Sequence, residues 1–505
     1  MNLLKKLNYS LIALSCVLPA VSMAAAQPNI VFIMADDVGL GDVSAFHRQY
    51  TDKPVVLETP AIDALAAQGM SFTDAHSPTA LCAPTRYSVM SGNSTYRAYA
   101  KWGVWSTFAK TAVTKEDATI GRIGQQAGYT TGFVGKWHLG GTFLGKNGEI
   151  YKGAKGGPKS KNVDLTKWVA GNPAELGFDY DFTAPTGVQG PTYSLHENGQ
   201  WYKFNKDSKL IYVDEHSAID KSFVSDKGPG MGDSHWDSTK LNMMLANKAA
   251  DFIKRSAKGD KPFLLNYWSP ATHIPHTPPT EIDGEKILGS TPTQHLDMTK
   301  VLEIEVSRIV KALKESGEYE NTLIIFTSDN GGLPEKTEIQ AGHNSSAIYN
   351  GRKNSPLEGG HRVPFIAVWP GRIKAGSIND TMVNGTDIVA TVAAVLDVKL
   401  NENQAKDSWN LLPTLTGKPY QGRELLMQQA GSQNQLMLRE GDWKIIIQSN
   451  NKVTKKELVA LYNLKDDPSE KRNLINEPKH KARAQVMFKK YWQIRDSGMR
   501  TAPIL

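Results

Sequence analysis

The chain has 505 residues, 40% hydrophobic and 22% charged, which excludes a disordered tail, a collagen and a small disulfide scaffold. It is too long for one simple core, so one large domain with a smaller companion is expected. Lys+Arg 58 against Asp+Glu 51 gives +7, and loss of Lys5 and Lys6 with a leader leaves about +5, too small a surplus to argue for nucleic acid.

The N-terminus reads as a targeting segment. Lys5 and Lys6 form a positive n-region, Leu11 to Val21 an apolar h-region, and Ala24, Ala25 and Ala26 a small-residue cleavage site before Gln27. The apolar run is short for a membrane anchor, and polar Gln27-Pro28-Asn29 follows directly. Residues 1–26 are therefore expected to be a signal peptide, and the mature chain to be periplasmic or secreted, free of the membrane. Cys16 lies in this leader, so the mature chain keeps only Cys82 and has no internal disulfide. A lone thiol in an exported protein is either buried and inert or present for its chemistry.

Asn29 to Met34 is a continuous apolar run, the pattern of a strand buried on both faces. Thr59 to Gln68 predicts an amphipathic helix, capped by Thr59 with Pro60 at its first position. Further buried strands are expected at Thr130 to Val134, Phe263 to Tyr267, Leu323 to Thr327 and Pro364 to Trp369, with helices at Thr239 to Ser256, Thr299 to Ser316 and Thr386 to Leu396. This alternation predicts an α/β fold with a mostly parallel sheet. Gly140 to about Trp236 reads as a long, weakly regular insertion on a cleft rim. Past Gln428, Gln435 to Arg439 and Trp443 to Gln448 look like antiparallel strands and Lys479 to Arg495 like a closing helix. Residues 27–425 are thus expected to form the main domain and 426–505 a C-terminal α+β unit.

Asp36-Asp37 follows the first strand, and Asp329-Asn330 follows the strand Leu323 to Thr327. Ligands bind beyond the carboxyl ends of strands in open α/β sheets. Each pair alone is a good turn sequence. Together they gather three carboxylates at one sheet edge, and a cation is the simplest way to hold them. All the donors are oxygens, which selects Ca²⁺ or Mg²⁺.

Cys82-Ala-Pro-Thr-Arg86 precedes a helix-like Tyr87-Ser-Val-Met90, which places Cys82 near a helix N-terminus, a position that favours anions and nucleophiles. This stretch resembles the type I sulfatase signature C-x-P-[ST]-R. The resemblance extends over most of residues 28 to 475: Pro28 to Gly39, Gly135-Lys-Trp-His-Leu-Gly140, Ser328-Asp-Asn-Gly331, Lys353 with Glu358-Gly-Gly360, Arg362-Val-Pro364, and Leu461 to Pro468. One departure is Asn350-Gly-Arg-Lys353, where the family often has R-G-x-K.

The resemblance implies an alkaline-phosphatase-like fold and hydrolysis of O-sulfate esters of a carbohydrate or an aryl alcohol. It implies that a formylglycine-generating enzyme converts Cys82 to formylglycine before folding, and that the hydrate supplies two geminal hydroxyls, one to attack sulfur and one to drive out sulfate. It implies metal ligation, Ca²⁺ ahead of Mg²⁺, by Asp36, Asp37, Asp329 and Asn330, with the modified Cys82 counted among the metal's ligands. Hydrate and sulfate contacts fall to Arg86, Lys136 and His138, and the leaving group meets His273 and Lys353. His276 competes with His273 in Ala271-Thr-His-Ile-Pro-His276, and His343 lies where the family often contacts substrate. Two rival readings are a phosphonate or phosphate monoester hydrolase of the same superfamily and a non-catalytic sulfated-glycan-binding protein.

Overall fold

The computed structural model describes residues 27–103, 105–217, 227–431 and 434–504. The expected leader lies outside the described residues.

Strand β1 (Asn29–Ala35) is buried along its whole length. Its even-numbered side chains Ile30, Phe32 and Met34 enter one hydrophobic core, and Val31, Ile33 and Ala35 enter another on the opposite face. A strand covered on both sides needs apolar residues at every position, hence the unbroken run. Full burial of a side chain such as Phe32 contributes roughly 1.5–3 kcal/mol.

The sheet around β1 includes β2 (Met70–Phe72), β3 (Thr130–Lys136), β4 (Tyr180–Ala184), β5 (Leu195–Glu197), β6 (Gln200–Tyr202), β7 (Phe263–Trp268), β8 (Thr322–Ser328), β9 (Phe365–Val368) and β10 (Ser377–Asn379). Their order is β10-β2-β9-β8-β1-β7-β3-β4-β5-β6. The central run β8-β1-β7-β3-β4 is parallel, with Ile30 opposite Leu264 on β7 and Leu323 on β8. The margins are mixed: β9 runs antiparallel to β8 and β2, and β5 pairs antiparallel with β4 and β6.

One face carries α1 (Pro60–Gln68), α3 (Ser238–Ser256) and α4 (Gln294–Glu315). The other carries α2 (Cys82–Ser91) and α5 (Asp387–Val395). Helix α4 starts five residues earlier than its periodicity predicts, because Thr293 caps it by accepting from Leu296 N and Leu296 and Met298 are buried. Thr59 precedes α1 but does not cap it with its side chain. Its hydroxyl is drawn to Ser44 and Asp63 instead.

The expected irregular insertion is more ordered than its composition suggests. It supplies β4, β5 and β6, and two further strand pairs, 142–145 with 163–170 and 210–213 with 230–233. Six of these seven strands are only three to five residues long, so they carry little periodic signal. The C-terminal antiparallel sheet comprises β11 (Leu425–Ala430), β12 (Gln435–Glu440), β13 (Trp443–Gln448) and β14 (Glu457–Asn463). Leu436, Leu438, Ile445 and Ile447 on this sheet pack with Met487, Tyr491 and Trp492 of α6 (Lys481–Ser497).

Candidate active site

The parallel strands end at one edge and deliver their polar residues there together. Asp36 and Asp37 follow β1, Lys136 ends β3, and Asp329 and Asn330 follow β8. Asp329 N donates to Ala35 O at 3.0 Å, and Asp37 N donates to Asp329 Oδ1 at 3.2 Å, so the two acidic pairs are tied through backbone as well as side chain. One carboxylate oxygen each from Asp36, Asp37 and Asp329 lies within 4.8 Å of the others.

Three cations face these three carboxylates. Arg86 donates to Asp329 Oδ2 through Nε (3.1 Å) and Nη2 (2.8 Å), and Nη2 also reaches Asp36 Oδ2 at 3.1 Å. Lys136 Nζ lies 2.5 Å from Asp36 Oδ2, and Lys353 Nζ lies 2.7 Å from both carboxylate oxygens of Asp37. Burial opposes ionisation of Asp36, but Lys136 and Arg86 outweigh it and hold the carboxyl far below its usual range. Burial and the neighbouring Asp36 push Asp329 the other way, well above it.

Two oxygens in this cluster, Asp36 Oδ1 and Asn330 Oδ1, are buried without a hydrogen-bond partner. Orphaned acceptors among crowded carboxylates are costly unless a cation meets them. The all-oxygen donor set fits a hard divalent ion. With all three carboxylates ionised against the three cations, such an ion would leave two positive charges in surplus, which suits an anionic ester.

Cys82 opens α2 and is buried, with Sγ 3.4 Å from His138 Nδ1. Burial works against the thiolate, yet Lys136, Lys353 and a hydrogen bond with His273 bring the thiol down to about 7. The loop before it is closed by two distant segments: Ala80 N donates to Gln429 O at 3.1 Å, and Asn354 N donates to Ala80 O at 2.7 Å. Burial and the adjacent Lys136 and Arg86 keep His138 neutral, far below its ordinary range. Asp37 (φ 64°) and His138 (φ 54°) both adopt the left-handed conformation, strain of the kind that collects at functional sites.

His273 is buried and joins Asp36 and Cys82 in a second cluster of potential ligand atoms. Its Nδ1 lies 2.5 Å from Ile274 O. A carbonyl only accepts, so Nδ1 carries the proton and Nε2 is left for the pocket. His276 packs against His295 instead, with ring centroids 5.3 Å apart, and burial next to that histidine lowers it to about 4. His343 is buried, bonds Asp42 at 2.8 Å and stacks on His47, so in this arrangement it supports the Gly39–Asp42 turn.

The Glu358-Gly359-Gly360 turn packs on the second acidic pair. Gly331 N donates to Gly360 O at 2.9 Å, and a Cβ on Gly331 would lie 2.0 Å from Gly359 O. Lys353 N donates to Gly332 O at 3.1 Å. The first of these approaches explains glycine at 331, and at 359 and 360 a Cβ would meet Asn350 O at 2.6 Å and Ser355 O at 2.2 Å. These contacts also tie Lys353 to the Asp329-Asn330 loop.

A family model described as Sulfatase matches residues 28–398, and one described as N-sulphoglucosamine sulphohydrolase, C-terminal, matches residues 353–497. The chain belongs to the sulfatase family. It is a sulfuric ester hydrolase that acts on O-sulfate esters. It is 30% identical over 492 residues to an N-acetylgalactosamine-6-O-sulfatase of Bacteroides thetaiotaomicron, covering 89% of this chain and 90% of that one. It is 28% identical over 489 residues to human arylsulfatase A, covering 90% and 85% of the two chains. A solved sulfatase structure from work on glycosaminoglycan metabolism by B. thetaiotaomicron superposes with a TM-score of 0.77 at 28% identity, covering 93% of this chain and 99% of the other. Among the described residues of this sulfatase, no helix is long and apolar enough to cross a membrane.

All ten site residues chosen from the sequence converge on this sheet edge. The sequence reasoning missed the partners of Glu358 that come from the C-terminal sheet. No local motif marks them, because they are joined to Glu358 only by the fold.

Proposed function

We propose that this sulfatase is exported after loss of residues 1–26, holds Ca²⁺, and removes sulfate from a sulfated carbohydrate. The catalytic domain spans residues 27–425 and the C-terminal subdomain 426–505. The observation that carries the reading is the meeting of Cys82, at a helix N-terminus, with His138, His273, Lys353 and an oxygen cluster that has two unsatisfied acceptors.

Asp36, Asp37, Asp329 and Asn330 hold the metal, with the group at position 82 beside them. The ion would supply positive charge toward the sulfate, and formylglycine at position 82, as its hydrate, would supply the attacking hydroxyl. Arg86 and Lys136 fix Asp36 and Asp329 and add positive charge where the sulfate binds. Neutral His138 accepts a proton at Nδ1 from the group at position 82. His273, its Nδ1 proton engaged by Ile274 O, presents Nε2 to the leaving oxygen, and Lys353 stabilises the charge that develops there.

The 30% identity to an N-acetylgalactosamine-6-O-sulfatase makes 6-O-sulfated N-acetylgalactosamine the first substrate to test. Steady-state rates on a panel of defined sulfated sugars, with paired nitrophenyl sulfate and phenyl phosphonate esters, test the assignment. Preference for the phosphonate would move the chain to the rival hydrolase class. An unmodified Cys82 thiol in the protein from its native host, seen by intact mass, would favour a binding protein.

A further inference from the structure

A second buried charge cluster lies where the C-terminal sheet meets the catalytic fold. Arg439 on β12 and Lys444 on β13 are directly opposed across the strand pair, and both are buried. Like charges in that position repel unless each finds its own acids. Arg439 grips Asp74 through both terminal nitrogens, at 2.7 and 2.8 Å. Lys444 Nζ lies 2.9 Å from Glu358 Oε1 and 2.8 Å from Glu470 Oε1.

Two histidines join the prongs. Lys444 Nζ is 3.2 Å from His361 Nε2, His361 Nδ1 is 2.9 Å from His76 Nδ1, and His76 Nε2 is 2.7 Å from Asp74 Oδ1. An ammonium only donates, so His361 Nε2 accepts and its Nδ1 carries the proton. That proton is given to His76 Nδ1, and His76 Nε2–H is given to Asp74. The chain of donors runs from Lys444 to the acid that Arg439 holds, and Arg439 Nη1, 3.2 Å from the protonated His76 Nε2, then gives its hydrogen to Asp74 and not to the ring. Both imidazoles must be neutral for this. Burial and Lys444 keep His361 far below its ordinary range, and burial and Arg362 bring His76 to about 4. His76, Glu358 and His361 have the spacing of a metal site, but the Lys444 ammonium already contacts both Glu358 and His361, so it serves as the cation there.

The cluster acts on the turn behind the reaction centre. Glu470 Oε2 accepts from Glu358 N at 2.6 Å, and Arg362 Nε donates to Glu358 Oε2 at 2.6 Å. The next two residues, Gly359 and Gly360, bear on Asn350 and on Gly331, the neighbour of Asn330. We propose that Arg439 and Lys444 are positioning residues for sulfate ester cleavage: a two-pronged cationic clamp from the C-terminal sheet that sets the Glu358–Gly360 turn and, through it, Lys353 and the Asp329-Asn330 loop. This rests on the role proposed above for Lys353 at the leaving oxygen.

The test uses the full-length, metal-loaded enzyme and two substrates, nitrophenyl sulfate and a sugar sulfate with a poor alkoxide leaving group. Lys444→Met and the milder Glu470→Gln are measured for kcat, KM, melting temperature and bound metal. The expected result is a folded protein with KM nearly unchanged. Its kcat on the sugar sulfate falls about ten- to hundredfold, and its kcat on nitrophenyl sulfate falls clearly less, since displacement of a catalytic group by about 1 Å has effects of this size. Lys444→Arg should recover part of the sugar-sulfate rate. Equal fractional losses on both substrates that track the folded fraction would make the cluster merely structural and overturn the proposal, as would wild-type kcat on both. If Lys444→Met does not fold, Glu470→Gln decides, and failure of both to fold assigns the cluster to stability and overturns the proposal. A wild-type enzyme inactive on both sulfates would count against the sulfatase mechanism, not against the clamp.

Discussion

Gly331→Ala tests the idea that the active site depends on contact between two backbone turns. The new Cβ would stand 2.0 Å from Gly359 O and 2.9 Å from the carbonyl carbons of Gly359 and Gly360, and real Cβ atoms almost never come within 3.0 Å. All three neighbours are backbone atoms, so no side chain can rotate away. The Glu358–Gly360 turn must withdraw by at least about 1 Å, and the 2.9 Å bond from Gly331 N to Gly360 O is lost or stretched. Overpacking costs about 1–3 kcal/mol and the hydrogen bond about 1 kcal/mol more, so stability should fall by roughly 2–4 kcal/mol. The same shift separates Lys353 from the Asp329-Asn330 loop, and the rate should drop by up to about a hundredfold. The assay is kcat/KM on a sugar sulfate with a poor alkoxide leaving group, with melting temperature as the check on folding. Gly259→Ala is the control, because that residue is exposed and its nearest neighbour is Ser256 O at 3.4 Å. A Gly331→Ala enzyme that folds and turns over at the wild-type rate would refute the reasoning.

Cys82→Ser should fold, since the two residues are nearly isosteric, but should release at most one equivalent of alcohol, because serine has no second geminal hydroxyl to expel sulfate. Multiple turnover would remove formylglycine from the mechanism. Chelation should abolish activity, and Ca²⁺ should restore it better than Zn²⁺ and raise the melting temperature, by the equivalent of about 2.7 kcal/mol at a hundredfold excess over Kd; full turnover without metal would contradict the ligand set. Lys353→Ala should harm sugar sulfates more than nitrophenyl sulfate, and equal losses would place its charge on the non-bridging oxygens. Glu305 is fully buried, with Asn242 donating to Oε1 at 2.6 Å, and burial raises its carboxyl from 4.5 to about 7. The folded state therefore binds this proton more tightly than the unfolded state, and stability falls as pH rises from 4.5 to about 7. Glu305→Gln should gain stability relative to wild type across that window, as read by melting temperature against pH, and a flat difference would refute the assignment.

The parts of this enzyme legible in its sequence were those with a local cause. β1, β3, β7 and β8 carry runs that only a doubly covered strand requires, and the acidic pairs and Cys82 stand directly at element ends. β5 and β6 escaped notice because three residues are too few to show a period. β9 looked like its neighbours but runs antiparallel, a matter of connection and not of composition. His343 shares its sequence neighbourhood with the site, yet Asp42 claims its ring. Arg439 and Lys444 read as ordinary alternating strand residues, and only the register that opposes them, together with the fold that brings Asp74 and Glu358 close, reveals their pairing.

The closure of the loop before Cys82 sets a clock on maturation. Ala80 is held by Asn354 and Gln429, both far later in the chain. At roughly 5–20 residues per second, a growing polypeptide takes on the order of tens of seconds to pass from Cys82 to Gln429. Until residue 263 has been made β1 lacks both strands that flank it in the finished sheet, and the loop before Cys82 is not closed until Asn354 and then Gln429 have followed. The wide separation in sequence slows folding, but it leaves the cysteine uncovered, and so accessible to the conversion to formylglycine proposed above, until the last strands arrive.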